Sequence, residues 1–189
     1  MSNRLGSKYV VQIFGQSHSP MIGAVIEGLP AGIMPDMDFI RAFMARRAPG
    51  GDLSTARREA DIPRIISGLN DRGETCGAPL CADIENCDAR SRDYDSLRDV
   101  PRPGHADYTA AVKFDRHTDI RGGGQFSGRL TAPLCVAGAL ALKQLEQSGV
   151  RVRARVHSVA GIRDAAVGSL MIRSTSSPAI RPASLVACR

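Results

Sequence analysis

Two short apolar runs flanking a glycine- and proline-bearing loop set the first constraint on what this chain can fold into. Tyr9–Phe14 ("YVVQIF") is β-branched and aromatic, "GQSHSP" follows it, and "MIGAVIEG" (Met21–Gly28) is a second apolar run closed by "LPAG". Short runs rich in Val and Ile and bounded by Gly and Pro read as strands. With no Trp and only 4% aromatic residues, the core must rest on Val, Ile, Leu, Met and Ala. A chain of 189 residues that is 43% hydrophobic is long enough and apolar enough for one good-sized domain.

Beyond the second strand, Asp36 is placed to cap a helix in which Met37, Ile40 and Met44 recur at helical spacing. Arg46 and Arg47 fall at its C-terminal end, where basic groups complement the helix dipole, and "APGG" stops it. Residues 51–75 are polar and charged. "APLCADIEN" (Ala78–Asn86) predicts a strand, and a long loop then carries "RSRDYDSLRDVPRPGHADYT"; loops of that length in compact domains are usually functional. "RGGGQFSGR" is a second glycine-rich loop, and "LTAPLCVAGALALKQLEQSG" after it predicts a helix ended by Gly149. "VRVRARVHSV" alternates, with Val150, Val152, Ala154 and Val156 on one side and Arg151, Arg153, Arg155 and His157 on the other. That pattern predicts a strand and makes His157 a solvated strand-face residue. The tail, Ala165–Arg189, has no Asp, Glu or Lys and no periodicity, and is expected to be disordered or frameshifted sequence.

The formal net charge is +6, with Arg contributing most of the excess; nucleic acid, an acidic membrane and small phosphorylated ligands all fit such a balance. Five cysteines (Cys76, Cys81, Cys87, Cys135, Cys188) include no C-x-x-C pair and no Cys–His grouping with zinc spacing, so reduced thiols and no metal site are expected. No secretory apolar region and no run of membrane-spanning length is present, and a soluble, cytoplasmic protein is expected.

Three segments carry groups able to bind anions or move protons: "FGQSHSP", "RRAPGG" with "TARREAD", and "RPGHADYT" followed by "RGGGQFSGR". His18 and His105 lie in Gly/Pro loops, and imidazole is the natural acid or base near neutral pH; taken singly, each also fits an ordinary solvated loop histidine. Asp107 could orient the His105 imidazole or cap the next element. Gly123 and Gly128 have the first spacing of a P-loop, but Arg129 and Leu130 stand where Lys and Ser/Thr are needed, and no apolar strand precedes them. A single "RGG" without repeats is weak evidence for nucleic-acid binding.

In this order the segments resemble the chorismate synthase family. "GQSHSPMIGAVIEGLPAG" is similar to its first signature, "RRAPGG" to its Arg-rich turn, "ISG" and "TCGAPL" to its next block, "RPGHADYT" to its histidine loop, and "RGGGQFSGRLTA" to its flavin-side glycine loop. The likeness runs from about Lys8 to about Asp164. Gln16 and Ser19 stand where the first signature usually has an acidic residue and a glycine, and Leu53 where a further arginine often follows, with Arg57 or Arg58 as its substitute.

The resemblance implies an α+β fold, a β-α-β-α sandwich, incomplete at the C-terminus, with residues 1–164 as the N-terminal part of the domain and 165–189 as an atypical tail. It implies a shikimate-pathway lyase serving aromatic amino acid biosynthesis. The reaction is an anti-1,4-elimination of phosphate from 5-enolpyruvylshikimate 3-phosphate to give chorismate, with reduced FMN, and with NADPH as reductant in some relatives. It assigns His18, with Ser17 beside it, as acid on the departing phosphate, and His105 to the protonation of the flavin. Arg47, Arg102 and Arg129 would clamp the substrate, Gln125, Phe126 and Ser127 would lie along the flavin, and Arg47 would also meet the nicotinamide. The implied partners are a small anionic substrate and, for the whole enzyme, three further copies in a homotetramer, with no nucleic acid and no membrane. The family's C-terminal part supplies an Asp near the flavin and basic residues for the FMN phosphate, and nothing in Ala165–Arg189 resembles it. Little or no turnover is therefore expected of this chain. The alternatives are a non-catalytic fragment with weak anion binding and a basic nucleic-acid-binding module.

Overall fold

The computed structural model describes residues 3–47, 61–87, 100–154 and 156–163. The "APGG" stop, "TARREAD" up to Ala60, Leu53, Arg57, Arg58 and the tail lie outside them. The chain divides into two compact units, 1–140 and 141–189, and the division falls inside the longest helix.

The first unit is built on a five-stranded antiparallel sheet in the order β1-β2-β3-β5-β4, from β1 (Arg4–Leu5), β2 (Val10–Gly15), β3 (Met21–Glu27), β4 (Arg64–Ser67) and β5 (Leu80–Glu85). The runs either side of "GQSHSP" pair with each other, Val11 facing Ile26 and Phe14 facing Gly23. β5 then pairs with β3, Ile22 facing Ile84 and Ile26 facing Leu80. Because side chains alternate along a strand, this register puts Val11, Ile22, Ala24, Ile26, Leu80, Ala82 and Ile84 on one face, and all of them are buried. On the other face Phe14 lies over Gly23, whose missing Cβ would come within 2.3 Å of the ring.

Two helices cover the apolar face. α1 (Met37–Ala45) is capped as expected, the Asp36 carboxylate accepting the Phe39 N–H at 2.9 Å, and it sends Ile40 and Met44 into the core. The helix predicted after the glycine loop, termed α3 here, runs Thr131–Gln147 and contributes Ala132, Val136, Ala137, Ala139 and Leu140 to the same cluster. Many of its core positions are Ala, which fits a helix lying close over the sheet. Tyr9 donates its hydroxyl to the Ala137 carbonyl at 2.7 Å, and burial pushes its pKa up to about 12.

β1, β4 and one further helix go beyond the sequence reading. β4 falls in the stretch read only as polar and charged; it is an edge strand held by Arg64, which pairs bidentately with buried Asp83 across the ladder and also with Glu85. α2 (Asp107–Lys113) has no side-chain N-cap and leaves Tyr108 and Val112 exposed.

The described part of the second unit corrects one expectation. "VRVRARVHSV" is not the strand that its alternation predicts: Val150–Ala154 carry no strand, and Val152 and Val156 are exposed like Arg151 and Arg153. The first strand there is β6 (Ser158–Val159), paired with β7 (Ile162–Arg163) around Ala160 and Gly161, both at positive φ. Alternation marks which face could be buried, but a strand needs a neighbour to complete its ladder, and His157 is exposed without one. Among the described residues Cys76, Cys81, Cys87 and Cys135 are free thiols, and no helix is long and apolar enough to cross a membrane.

The sheet–helix interface should govern stability. Ile26 is fully buried, between Val11 on one neighbouring strand and Leu80 on the other. Ile26→Ala is expected to lower the unfolding free energy by about 2–5 kcal/mol, read from urea denaturation of the chain.

Candidate active site

The site is organised by the turn Gly122–Gly124, three glycines in succession at φ of 58°, 86° and 54°. L-residues with side chains rarely adopt that region. Gly124 also presses on the Asp119 carbonyl, leaving 2.0 Å for a Cβ. The turn needs this freedom because other loops pack against it. A Cβ on Gly122 would meet His18 Cε1 and Ser17 Oγ at 2.5 Å each, and one on Gly123 would lie 3.7 Å from His105 Nδ1. The two motif histidines, 87 residues apart in sequence, thus approach neighbouring residues of one turn.

Ser17 is buried, and its N–H donates to the Gly124 carbonyl at 3.1 Å, which fixes the first histidine loop to the glycine turn. Ser19, at a departure from the family signature, closes that loop internally. Its hydroxyl accepts the Gln16 N–H at 2.8 Å and lies 2.6 Å from the Met21 carbonyl, to which it can donate. Asn86, at the end of β5, donates to the Gln16 and Ser19 carbonyls at 3.2 and 2.7 Å.

The second histidine loop is held by Arg102. Its guanidinium donates to both Asp107 oxygens, at 2.7 and 3.0 Å, and to the Ile120 carbonyl at 3.1 Å, just before the glycine turn. Asp107 is thus paired with Arg102, and the side-chain cap that it could have supplied to α2 is not formed. Hydrogen bonding from Arg102 holds its carboxyl below the usual range. Asp119 is lowered in the same way, chiefly by its hydrogen bonds with Arg121 and in smaller part by the charge of His18.

Arg47 and Arg129 come together on one carboxylate. Arg129 is buried, donates Nη1 to Asp61 and donates Nε to Asn86 at 3.1 Å. Arg47, just past α1, donates Nη1 to the other Asp61 oxygen at 2.5 Å and Nε to Thr131 at 3.2 Å. Ser127 starts the short helical turn (Gly128–Leu130) that carries Arg129, its hydroxyl accepting the Arg129 N–H at 3.3 Å. Gln125 lines a cavity of about 240 Å³ with Gln16, Phe114, His117, Thr118 and Asp119, and Phe126 is exposed.

The structure therefore brings His18, Ser17 and His105 onto the glycine turn, and links Arg129 and Arg47 to that neighbourhood through Asn86 and Thr131. Arg102 ties the His105 loop to Ile120, just before the glycine turn. Asp61, Asn86 and His117 are additions that sequence reasoning missed. Asp61 lies in a charged run, Asn86 ends an ordinary strand, and His117 follows two residues at positive φ, Asp115 and Arg116, which no motif announces.

An α+β protein whose histidines and arginines converge on one glycine-rich turn is the class that this geometry defines. Comparison with known proteins narrows it. The family model described as chorismate synthase matches residues 9–184. Chorismate synthase of Lancefieldella parvula is 43% identical over 164 residues, and that of Aeropyrum pernix 48% over 158 residues, covering 87% and 84% of this chain. A crystal structure of chorismate synthase superposes with a TM-score of 0.55 at 26% identity over 77% of the chain. The chain belongs to the chorismate synthase family. It spans 43% and 41% of the two relatives' own lengths, and 36% of the solved chain.

Two outcomes follow from this geometry. Gly122→Ala should displace His18 and cost about 1–3 kcal/mol by overpacking. Gly128→Ala, which meets nothing within 4 Å, should change stability by no more than about 0.5 kcal/mol; thermal melts of the two variants compare them. The Arg102–Asp107 tie should carry an acid signature. A carboxyl lowered from its ordinary 3.8 contributes stability that is complete above that value and is lost as pH falls through the folded-state pKa. Asp107→Asn should therefore be less stable than the parent at neutral pH, and the gap should begin to narrow only below about pH 4 and close as pH falls through the lower folded-state pKa, as read from melting temperature against pH.

Proposed function

We propose that this chain supplies the N-terminal part of an active site for the elimination of phosphate from 5-enolpyruvylshikimate 3-phosphate, giving chorismate. The observation that carries the reading is the approach of His18 and His105 to consecutive glycines of one turn. The substrate bears two carboxylates and a phosphate, and guanidinium matches such oxyanions bidentately. Arg129 and Arg47 would hold an oxyanion of the substrate, and Arg102 would keep the His105 loop in register with the turn. His18 would donate a proton to the departing phosphate oxygen, with Ser17 fixing its loop.

Reduced FMN fits the residues present. Gln125 lines the cavity beside the glycine turn, and Phe126, which is exposed, and Ser127 follow it directly. Bound there, the reduced flavin would supply electron density to a reaction without net redox change. His105 would hold or move the proton that the flavin requires. Reduction by NADPH, with Arg47 as its contact, assembly as a homotetramer and a cytoplasmic location belong to the same proposal.

Because the chain spans less than half of its relatives' length, a second reading stands beside the first: a fragment that binds anions or flavin without turnover. Anaerobic titration of the folded chain with reduced FMN and 5-enolpyruvylshikimate 3-phosphate, reading flavin absorbance and chorismate, separates them. Saturable binding with chorismate released, falling about 10²–10⁴-fold in His18→Ala, supports the lyase. Binding without product favours the fragment, and neither from a folded sample removes both.

A further inference from the structure

Asp61 is the most enclosed charged group of the site, with 1% of its side chain exposed. Its two oxygens are divided between two cations, Oδ1 accepting from Arg129 and Oδ2 from Arg47. Each guanidinium has a second, neutral anchor through Nε: Asn86 for Arg129 and Thr131 for Arg47. Neither planar group can then rotate freely. The Asp61 backbone is itself held in the left-handed region, at φ 42°, a conformation uncommon for residues other than glycine, although Asp is enriched there. Three residues later β4 begins at Arg64, which Asp83 pins to the sheet. The carboxylate is therefore fixed from the sheet side while its two partners come from the end of α1 and from the turn before α3.

We propose that Asp61 is a positioning residue: its buried carboxylate sets the spacing and orientation of Arg47 and Arg129 so that both guanidiniums can engage one oxyanion group. The inference rests on the reading that these arginines bind an anionic substrate. Two unscreened guanidiniums this close would repel each other, and the shared carboxylate turns that repulsion into a fork with one net positive charge. It aligns the pair and does not merely neutralise it, because it bonds each partner at a different oxygen.

Geometry and charge predict different outcomes, so two variants decide. Inorganic phosphate is titrated into the full chain by calorimetry, for the parent, Asp61→Asn and Asp61→Glu, with melting temperatures in phosphate-free buffer. Asp61→Asn adds a unit of positive charge to the site, and simple electrostatics would then tighten phosphate binding. Positioning predicts the reverse, a loss of about tenfold, the scale of one charge-assisted hydrogen bond. Asp61→Glu keeps the charge and moves it by a methylene, and should still weaken binding several-fold. In an Arg47→Met background the Asp61→Asn loss should shrink, because the fork is already broken; a purely structural role would leave the two losses additive.

The inference is overturned if a folded Asn or Glu variant binds phosphate as tightly as the parent or more tightly. It is also overturned if the parent does not bind phosphate, or if neither variant folds, which would make Asp61 a folding residue. The readout involves no flavin and no turnover, so an inactive chain that binds phosphate and loses it in both variants refutes the lyase reading alone.

Discussion

Three consecutive glycines in left-handed backbone are the constraint on which the site depends, because two separate loops close onto Gly122–Gly124. The loop between β2 and β3 packs Ser17 and His18 against Gly122 and bonds the Gly124 carbonyl. The His105 loop faces Gly123, tied by Arg102 to Ile120. The turn then continues through Ser127 into Arg129 and α3. A side chain at Gly122 would fill the space that His18 occupies, and one at Gly124 would strike backbone that cannot yield. The sheet and its two helices hold this turn at the end of β2, β3 and β5, where Gln16, Pro20 and Asn86 exchange hydrogen bonds.

Burial decides how such a cluster can be stable. Asp61 and Arg129 are both nearly excluded from solvent. Desolvating two charges costs about what their attraction returns, whereas removing one partner costs about 3–5 kcal/mol. The pair is therefore weak evidence for stability and better evidence for a fixed geometry. Asn86 does similar work without charge: it satisfies two carbonyls of the first histidine loop and the Nε of Arg129. Polar side chains spent on bonding loops to one another make the site stiff before any ligand arrives.

What could be read from the sequence follows from where the signal is local. β2, β3 and β5 declare themselves by apolar runs, α1 by Asp36 and the Met37–Ile40–Met44 spacing, and α3 by its length and the glycine after it. The histidine and glycine loops declare themselves by motif, which is why the family could be named from them. β4 is silent because a four-residue edge strand with no buried residue, held by its arginine across the ladder, carries no apolar pattern of its own. Val150–Val156 mislead for the opposite reason: the alternation is present, but the ladder partner is not encoded in the segment. Asp61 and Asn86 leave no local trace, since their importance comes from partners 68 and 43 residues away.

The formal charge of +6 invites the inference of an open basic surface, and the structure qualifies it. The arginines around the glycine turn are matched from within: Arg47 and Arg129 by Asp61, Arg102 by Asp107, Arg121 by Asp119. Long-range attraction from such pairs is small, because each internal carboxylate cancels a charge within a few ångströms. An anion entering here meets guanidiniums already oriented and partly neutralised. Its affinity must come from matching their remaining donors at close range, with little help from a diffuse positive field. That arrangement favours discrimination by shape over capture by charge.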